Sequence, residues 1–359
     1  NLGVSDPFYV DDAVWYLAHA NSINGLYHHR SGCALDGRFG YTRPTNFSLA
    51  AGKTIYKSEL PYLFSSETGG PVTFGDGADA PYITAETEDW WGSHHDAGDW
   101  DRRLASDDPL YNVMIALLDV YEMLPSASRS TSVGVPTSTS LLDASLYAGT
   151  DSLPDAFHEI IWTLDLYRRM QEDDGSVHGG IESESTPLAL EPSYLERQTT
   201  FIYHPDHMST FAYAALAAKF AQVMEGAGFT ALAATYETSA IDAWTWAEEI
   251  HTNSGARDAH YATVKTAIGD TAYNDNLTAR ANRIAGHRIA ATGALYRLTG
   301  SSTYGDIIVA ATISAVNDHG GSISKAAKTL RIAVPPLESR IKGANTYYDL
   351  KPSPKGPIL

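Results

Sequence analysis

The sequence of 359 residues contains one cysteine, Cys33, so an intramolecular disulfide and a cysteine-rich zinc site are excluded. Basic residues are scarce: 25 Lys and Arg stand against 43 Asp and Glu, a net charge of −18 with histidine neutral. Because phosphate binding needs clustered basic side chains, we expect no nucleic-acid partner, and a neutral or cationic ligand instead. No apolar run approaches the roughly 20 residues that cross a bilayer, so we expect a soluble protein without a membrane partner.

Hydrophobic residues make up 43% of the chain and aromatic residues 11%, which is enough for a real core and excludes a wholly disordered protein. The length suggests two domains of average size, or one large helical or barrel domain. The chain begins Asn1-Leu2-Gly3 without a basic and then apolar leader, so we interpret it as processed or as cut from something longer.

Apolar residues recur at helical spacing along most of the chain. The pattern predicts a helix after Asp6-Pro7, a second after Ser106, a third from Asp155, and others at about 208–224, 231–250, 257–268, 279–299 and 303–316. Ser152 and Asp155 form a capping-box pattern for the third helix, and Gly300 is predicted to end the helix before it. So many helices predict an all-α toroid of helical hairpins, with the chemistry in loops on one rim.

Other stretches lack this pattern. Residues 36–105 are rich in Gly, Pro, Thr and Tyr, and so long a loop is usually functional or holds small strands. A second long loop spans 171–206, and the Ser/Thr-rich stretch 125–150 is predicted to be an exposed insertion. Basic residues dominate from Gly320 onward, so we divide the chain into a main domain, 1–318, and a basic tail, 319–359.

The segment His95-Asp96-Ala97-Gly98-Asp99-Trp100 is the most informative for chemistry. Its two carboxylates are three residues apart and can turn towards one point, because Gly98 tolerates tight backbone geometry. Carboxylates so placed can hold and deprotonate one water, and their mutual repulsion keeps one of them basic. The flanking Trp rings offer flat faces that stack on sugar rings, and Arg102 and Arg103 can brace the acidic loop by pairing.

Two alternatives stay open from the spacing alone. Asp-x-Gly-Asp patterns also form plain turns or bind calcium. His94, His95, Asp96 and Asp99 together also fit a transition-metal cluster.

The same segment resembles the Asp-Ala-Gly-Asp loop of glycoside hydrolase family 9, an inverting family with many cellulases and some exo-β-glucosaminidases. Residues 153–182 are similar to the family's helix that ends in a Gly-Gly loop at the cleft. His204-Pro-Asp-His-Met-Ser-Thr210 resembles its next rim loop, and residues 7–35 fit its first helix. The resemblance covers roughly residues 7–316 in order.

This resemblance implies an (α/α)6 barrel with an open cleft over 1–318, incomplete at its C-terminus. It implies that Asp99 is the base that activates water and that Asp96 positions this water. Four residues are expected to bind substrate: His95, Trp100, His178 and Glu182. For His178 the alternative is an ordinary loop residue, and for Glu182 and Glu184 it is a solvated loop glutamate.

The expected partner is a β-glucan or a chitosan-type oligosaccharide, and the net charge slightly favours the cationic one. No metal ligands and no cofactor are expected in the catalytic site; a calcium ion, if bound, would be structural. The resemblance also implies a secreted or periplasmic protein.

Inversion needs a second carboxyl group, which protonates the leaving oxygen. In the family this acid is a Glu near the C-terminus, preceded by a His-x-Arg motif, and the sequence contains neither in a matching context. One explanation is a diverged ending in which an acid such as Glu338 serves. The other, which we favour, is that the C-terminal helices are lost or replaced. A non-catalytic carbohydrate-binding protein is therefore the alternative function.

Overall fold

Helices form the bulk of the computed structural model, which describes residues 16–48, 51–60, 83–95, 102–105, 110–123, 132–137, 141–183, 192–196, 198–268 and 278–318. The helices in these residues are α1 Tyr16–His28, α2 Leu110–Met123, α3 Asp155–Arg169, α4 His207–Gly226, α5 Thr230–Thr252, α6 Ser254–His260, α7 Ala262–Ile268, α8 Thr278–Thr299 and α9 Ser302–Asp318. The all-α prediction is confirmed. The helix start predicted at Asp6-Pro7 lies outside the described ranges, and the predicted division at 318/319 lies at their end. Both stay predictions.

Helix α4 is the centre of the hydrophobic core. It is rich in Ala, and nearly all of its residues are buried. Small side chains let neighbouring helices approach on several sides, and α4 packs against α5, α8 and α2. The Asp206 carboxylate caps the helix by accepting a hydrogen bond from the Ser209 amide at 2.9 Å. Helices α4 and α5 follow each other in the chain and pack together, as in the helical hairpins of the predicted toroid.

The two long loops predicted from the sequence meet in one small sheet. Its strands are β3 Ile55–Ser58, β4 Ile83–Glu88, β5 Arg102–Arg103, β6 Gly180–Ser183 and β7 Thr200–Ile202, in the order β4-β3-β7-β6-β5. Only the β3–β7 pair is parallel. Strands β1 Leu35–Asp36 and β2 Thr42–Arg43 form a separate antiparallel pair. The expectation of small strands is confirmed, and the sheet fixes the first long loop against the second.

One local prediction is wrong. The capping box at Ser152 does not form, since Pro154 precedes α3 and the Asp155 carboxylate instead accepts hydrogen bonds from the Val133 and Val135 amides at 2.8 and 2.9 Å. Most of the described part of 125–150 is exposed, as predicted, although the segment packs on α3 and Tyr147 is buried.

The helix predicted at 257–268 is divided into α6 and α7 at Tyr261. The Tyr261 ring is fully buried, and its hydroxyl lies 3.0 Å from His207 Nδ1. A buried partner at the start of α4 thus determines where the helical pattern is interrupted. No helix in the described ranges is both long enough and apolar enough to cross a membrane.

Candidate active site

The loop that carries Asp96 and Asp99 connects strands β4 and β5. Asp96, Asp99 and Trp100 lie outside the described residues, and their predicted roles stay predictions. The structure describes the residues on either side of this loop, 89–95 and 102–105, which we call the first and second stems. How the stems are held determines where the loop can be.

Arg102 connects the two stems. Its side chain is buried, and its Nη1 atom lies 3.3 Å from the carbonyl oxygens of both Trp90 and Gly92. Its backbone belongs to β5, which pairs with β6. Arg102 therefore ties the second stem to the first through backbone carbonyls. The predicted pairing of Arg102 and Arg103 with the acidic loop stays a prediction.

The segment that follows α1 holds the first stem from another side. The Ser31 amide donates to the Ser93 carbonyl, and the His95 amide donates to the His29 carbonyl, both at 2.9 Å. Gly32 adopts a φ of +83°, and a Cβ there would lie 2.5 Å from the Trp91 Cβ. Only glycine fits so close an approach, so this contact fixes the distance between the two segments.

Helix α3 supplies a buried carboxylate beneath the first stem. Glu159 is 0% exposed, and its two oxygens lie 2.9 and 3.0 Å from Arg30 nitrogens. Its Oε2 also lies 2.7 Å from His94 Nε2. Burial alone would raise the pKa of Glu159, but the Arg30 charge and the His94 hydrogen bond outweigh it and lower this pKa. Sequence reasoning missed Glu159, whose only signal was a glutamate within an apolar helix.

The metal-cluster alternative is wrong for His94. Its Nδ1 lies 2.8 Å from the Thr163 hydroxyl and its Nε2 faces Glu159, so both ring nitrogens are already used. Within the described ranges, no three His, Cys, Asp or Glu side chains are grouped to hold a metal ion.

His95 lies at the end of the first stem and is 6% exposed. Its Nδ1 is 3.1 Å from the Ser31 hydroxyl, and its ring centroid is 5.2 Å from that of His29. Burial, with the nearby positive charge of Arg43, lowers its pKa well below the ordinary value, so the ring is neutral. A neutral, oriented imidazole next to Asp96 is suitable for contacting a sugar hydroxyl, and this contact stays a prediction.

His178 is buried at 3% exposure and belongs to a polar cluster with Glu172, Lys57 and Trp90. Its Nε2 is 2.8 Å from Glu172 Oε1, and its Nδ1 contacts the Tyr203 carbonyl oxygen. Lys57 pairs with the same Glu172 oxygen at 2.9 Å and lies over the Trp90 ring. The His178 hydrogen bond, with help from Lys57, lowers the pKa of Glu172 to about 2.

The cluster changes which side chain is accessible. The Glu172 side chain is 41% exposed, whereas His178, predicted to bind substrate, is held behind it. Sequence reasoning missed Glu172 and Lys57, because the two residues are 115 positions apart and meet only in the folded chain.

Glu182 is buried in strand β6, at 1% exposure, and accepts a hydrogen bond from the Tyr203 hydroxyl. The alternative that it is a solvated loop residue is wrong, because β5 and β7 flank β6 on both sides. Its predicted sugar contact stays a prediction. Glu184 lies outside the described residues.

The rim segment His204–His207 is buried except for the half-buried His204, and it carries perturbed groups. Burial raises the pKa of Asp206 to about 6 and lowers the pKa of His204 and of His207 to about 3. The His204 ring stacks on His260, with centroids 4.7 Å apart.

A cavity of about 480 Å³ lies beside the first stem. Its lining includes the aromatic rings of Tyr27 and Trp91 and the polar side chains of Arg30, Asp36 and Asp89. Aromatic and polar groups in a space of this size are typical of a small-molecule site.

Comparison with known proteins supports the fold. No protein-family model matches the chain, and no curated protein matches it by sequence. A Bacteroides ovatus family 9 glycoside hydrolase (GH9) superposes with a TM-score of 0.59 at 16% identity, over 84% of this chain and 49% of that one. A metagenome-derived GH9 endoglucanase superposes with a TM-score of 0.58 at 18% identity, over 96% of this chain and 57% of that one. AaCel9A in complex with cellobiose-like isofagomine superposes with a TM-score of 0.57 at 16% identity, over 90% of this chain and 55% of that one.

The chain therefore has the fold of the GH9 (α/α)6-barrel enzymes. The predicted fold class and the family resemblance are confirmed at the level of the fold. The chain spans about half the length of the solved structures that it matches.

Proposed function

We propose that the chain is an inverting β-glycan hydrolase that acts on β-1,4-linked glucose or glucosamine units. The observation that carries the proposal is the anchoring of an Asp96-Ala-Gly-Asp99 loop between two braced stems in a chain with the GH9 fold. A loop tied down at both ends by buried hydrogen bonds is suited to hold two carboxylates at fixed positions.

In the proposed reaction Asp99 removes a proton from a water that Asp96 helps to orient. The oxygen of this water forms a bond to the anomeric carbon on the face opposite to the leaving group, and the bond from this carbon to the glycosidic oxygen breaks. A carboxylic acid about 6.5–9.5 Å from the base gives its proton to the leaving oxygen. Glu338 is the candidate acid that the sequence offers.

We assign substrate binding to the walls around this loop. Trp100 and His95 flank the carboxylates in the sequence, and His178 and Glu182 come from the second long loop, which the sheet joins to the first. The endoglucanase neighbours favour a β-glucan, and the net charge of −18 favours glucosamine units.

The test is release of reducing sugar from cello-oligomers and from glucosamine oligomers, with NMR of the first-formed anomer. We expect an α-anomeric product from the parent protein and about 10²–10⁴-fold slower hydrolysis by Asp99→Asn. Asp306→Asn is the matched control, because Asp306 is an exposed residue of α9; it should keep the parental rate.

Binding measurements distinguish the alternatives. Asp99→Asn should still bind oligosaccharide, since the substitution removes a base and keeps the shape. Saturable binding by the parent without turnover would identify a non-catalytic carbohydrate-binding protein. Neither binding nor turnover by a folded parent would refute the proposal.

A further inference from the structure

We infer that Glu159 and Thr163 of helix α3 are positioning residues for the catalytic loop, which they hold through His94. The inference rests on the proposed function of Asp96 and Asp99. It assigns to one face of α3 the task of fixing the backbone immediately before these carboxylates.

The ion pair between Arg30 and Glu159 is unusually well buried. The two side chains are 129 residues apart in the sequence, are 3% and 0% exposed, and share two hydrogen bonds. Removing both charges from water costs much of what their attraction provides, so well-packed apolar residues would stabilise the fold about as well. The pair therefore gives little net stability, and its effect is better described as fixing geometry.

The ion pair orients the ring of His94. Glu159 is ionised and can only accept, so the facing Nε2 of His94 carries the proton. Nδ1 is then an acceptor, and the Thr163 hydroxyl donates to it at 2.8 Å. Burial lowers the pKa of His94, in keeping with a neutral ring. With a partner on each side, the ring has one allowed orientation.

The same face of α3 also holds the stem backbone. Glu159, Trp162 and Thr163 are three and four residues apart, so they project from one side of the helix. Between Glu159 and Thr163, the Trp162 carbonyl accepts a hydrogen bond from the Ser93 amide at 3.0 Å. Ser93 has a φ of +58°, a conformation rare for a residue with a side chain, which needs surrounding contacts to persist.

His94 is two residues from Asp96. We expect a shift of its ring or backbone to displace the first carboxylate, and displacement of a catalytic group by about 1 Å can cost about 100-fold in rate. The contacts from α3 thus act on the rate of the chemical step more than on substrate affinity.

The test is Thr163→Val, which keeps the volume of the side chain and removes the hydroxyl from His94. Thr292→Val is the matched control: Thr292 is equally buried in α8, and its hydroxyl accepts from Trp244 Nε1 at 3.1 Å. Each substitution removes two hydrogen bonds: Thr163 bonds to His94 and accepts from the Ser93 hydroxyl at 3.4 Å, and Thr292 bonds to Trp244 and to the Arg288 carbonyl. Similar losses of stability are therefore expected.

We expect kcat to fall roughly tenfold in Thr163→Val with KM nearly unchanged, and both to stay parental in the control. Thr163→Ser, which restores the hydroxyl, should recover most of kcat. Hydrogen exchange should become faster in the peptide covering residues 92–103 only in Thr163→Val.

Parental kcat in Thr163→Val, or an equal loss of kcat in the control, would overturn the inference. If the parent neither hydrolyses nor binds a glycan, the proposed function fails. Hydrogen exchange alone then tests whether Glu159 and Thr163 position the loop. Unchanged exchange in residues 92–103 would refute it in that case.

Discussion

His207 is expected to make the protein less stable in mild acid. The side chain is fully buried at the start of α4, with its Nδ1 3.0 Å from the Tyr261 hydroxyl. Burial, together with the neighbouring His251 and Arg257, lowers the pKa of His207 to about 3 from an ordinary value of 6.5. The contribution of the neutral ring to stability is therefore complete above pH 6.5 and is lost as the pH falls from 6.5 towards 3.

The magnitude follows from the separation of the two pKa values. At pH 5, His207 is protonated in the unfolded state and neutral in the folded state. This pH is 1.5 units below the ordinary pKa, and at about 1.4 kcal/mol per unit the free energy of unfolding falls by about 2 kcal/mol. Asp206 opposes this loss, because its pKa is raised to about 6 and the folded state takes up a proton there. That uptake returns about 1 kcal/mol between pH 7 and pH 5.

The assay is urea unfolding at pH 7.5 and pH 5.0. His207→Gln keeps a polar group near Tyr261 and does not titrate, so its loss of unfolding free energy between the two pH values should be about 2 kcal/mol smaller than that of the parent. Tyr261→Phe is the control, because it removes the same hydrogen bond and keeps the imidazole; its pH dependence should be parental. Equal pH dependence of His207→Gln and the parent would refute the reasoning.

Two further predictions concern the support of the first stem. Gly32→Ala should lower the free energy of unfolding by about 1–3 kcal/mol in urea titrations, because the added Cβ meets Trp91 at a backbone φ that disfavours a side chain; a protein as stable as the parent would contradict the close approach. Arg30→Met should cost about 3–5 kcal/mol in the same assay, because it leaves the Glu159 carboxylate buried without its cation. Arg38→Met, which removes an exposed ion pair, is its control and should cost at most about 1 kcal/mol; equal losses in the two variants would contradict the assignment.

Helices with a strong local pattern were predictable. Helices α4, α5, α8 and α9 begin and end within about two residues of the predicted limits. Gly300, predicted as a stop, follows the last residue of α8 and has a φ of +68°. These features depend on contacts within four residues, which the sequence displays directly.

Local signals failed where a distant partner competed for the same group. The Asp155 carboxylate binds the amides of Val133 and Val135 instead of capping α3 with Ser152. Tyr261 interrupts the helical pattern because its ring is buried against His207. In both cases a tertiary hydrogen bond outweighs a weak propensity.

The residues of the candidate site also form two groups, those that local sequence indicates and those that only the fold identifies. Asp96 and Asp99 could be proposed as candidates from the sequence, because two carboxylates around an Ala-Gly pair have a chemistry of their own, and their roles stay predictions. Glu159 and Glu172 could not, because a glutamate in or after a helix has no local feature that shows its burial or its partner. Their roles depend on Arg30, His94 and Lys57, which reach them only in the folded chain.

The sequence by itself determined the helical class, the place of the Asp96–Asp99 segment in the chain and the resemblance to a sugar-cleaving family, because periodicity and close spacing are local properties. The tertiary structure alone decided that the two long loops share a sheet, that His178 and Glu182 are buried, and that Glu159 of α3 contacts His94 of the first stem. Segments more than a hundred residues apart meet only when the whole core is packed, and no short window of the chain contains that information.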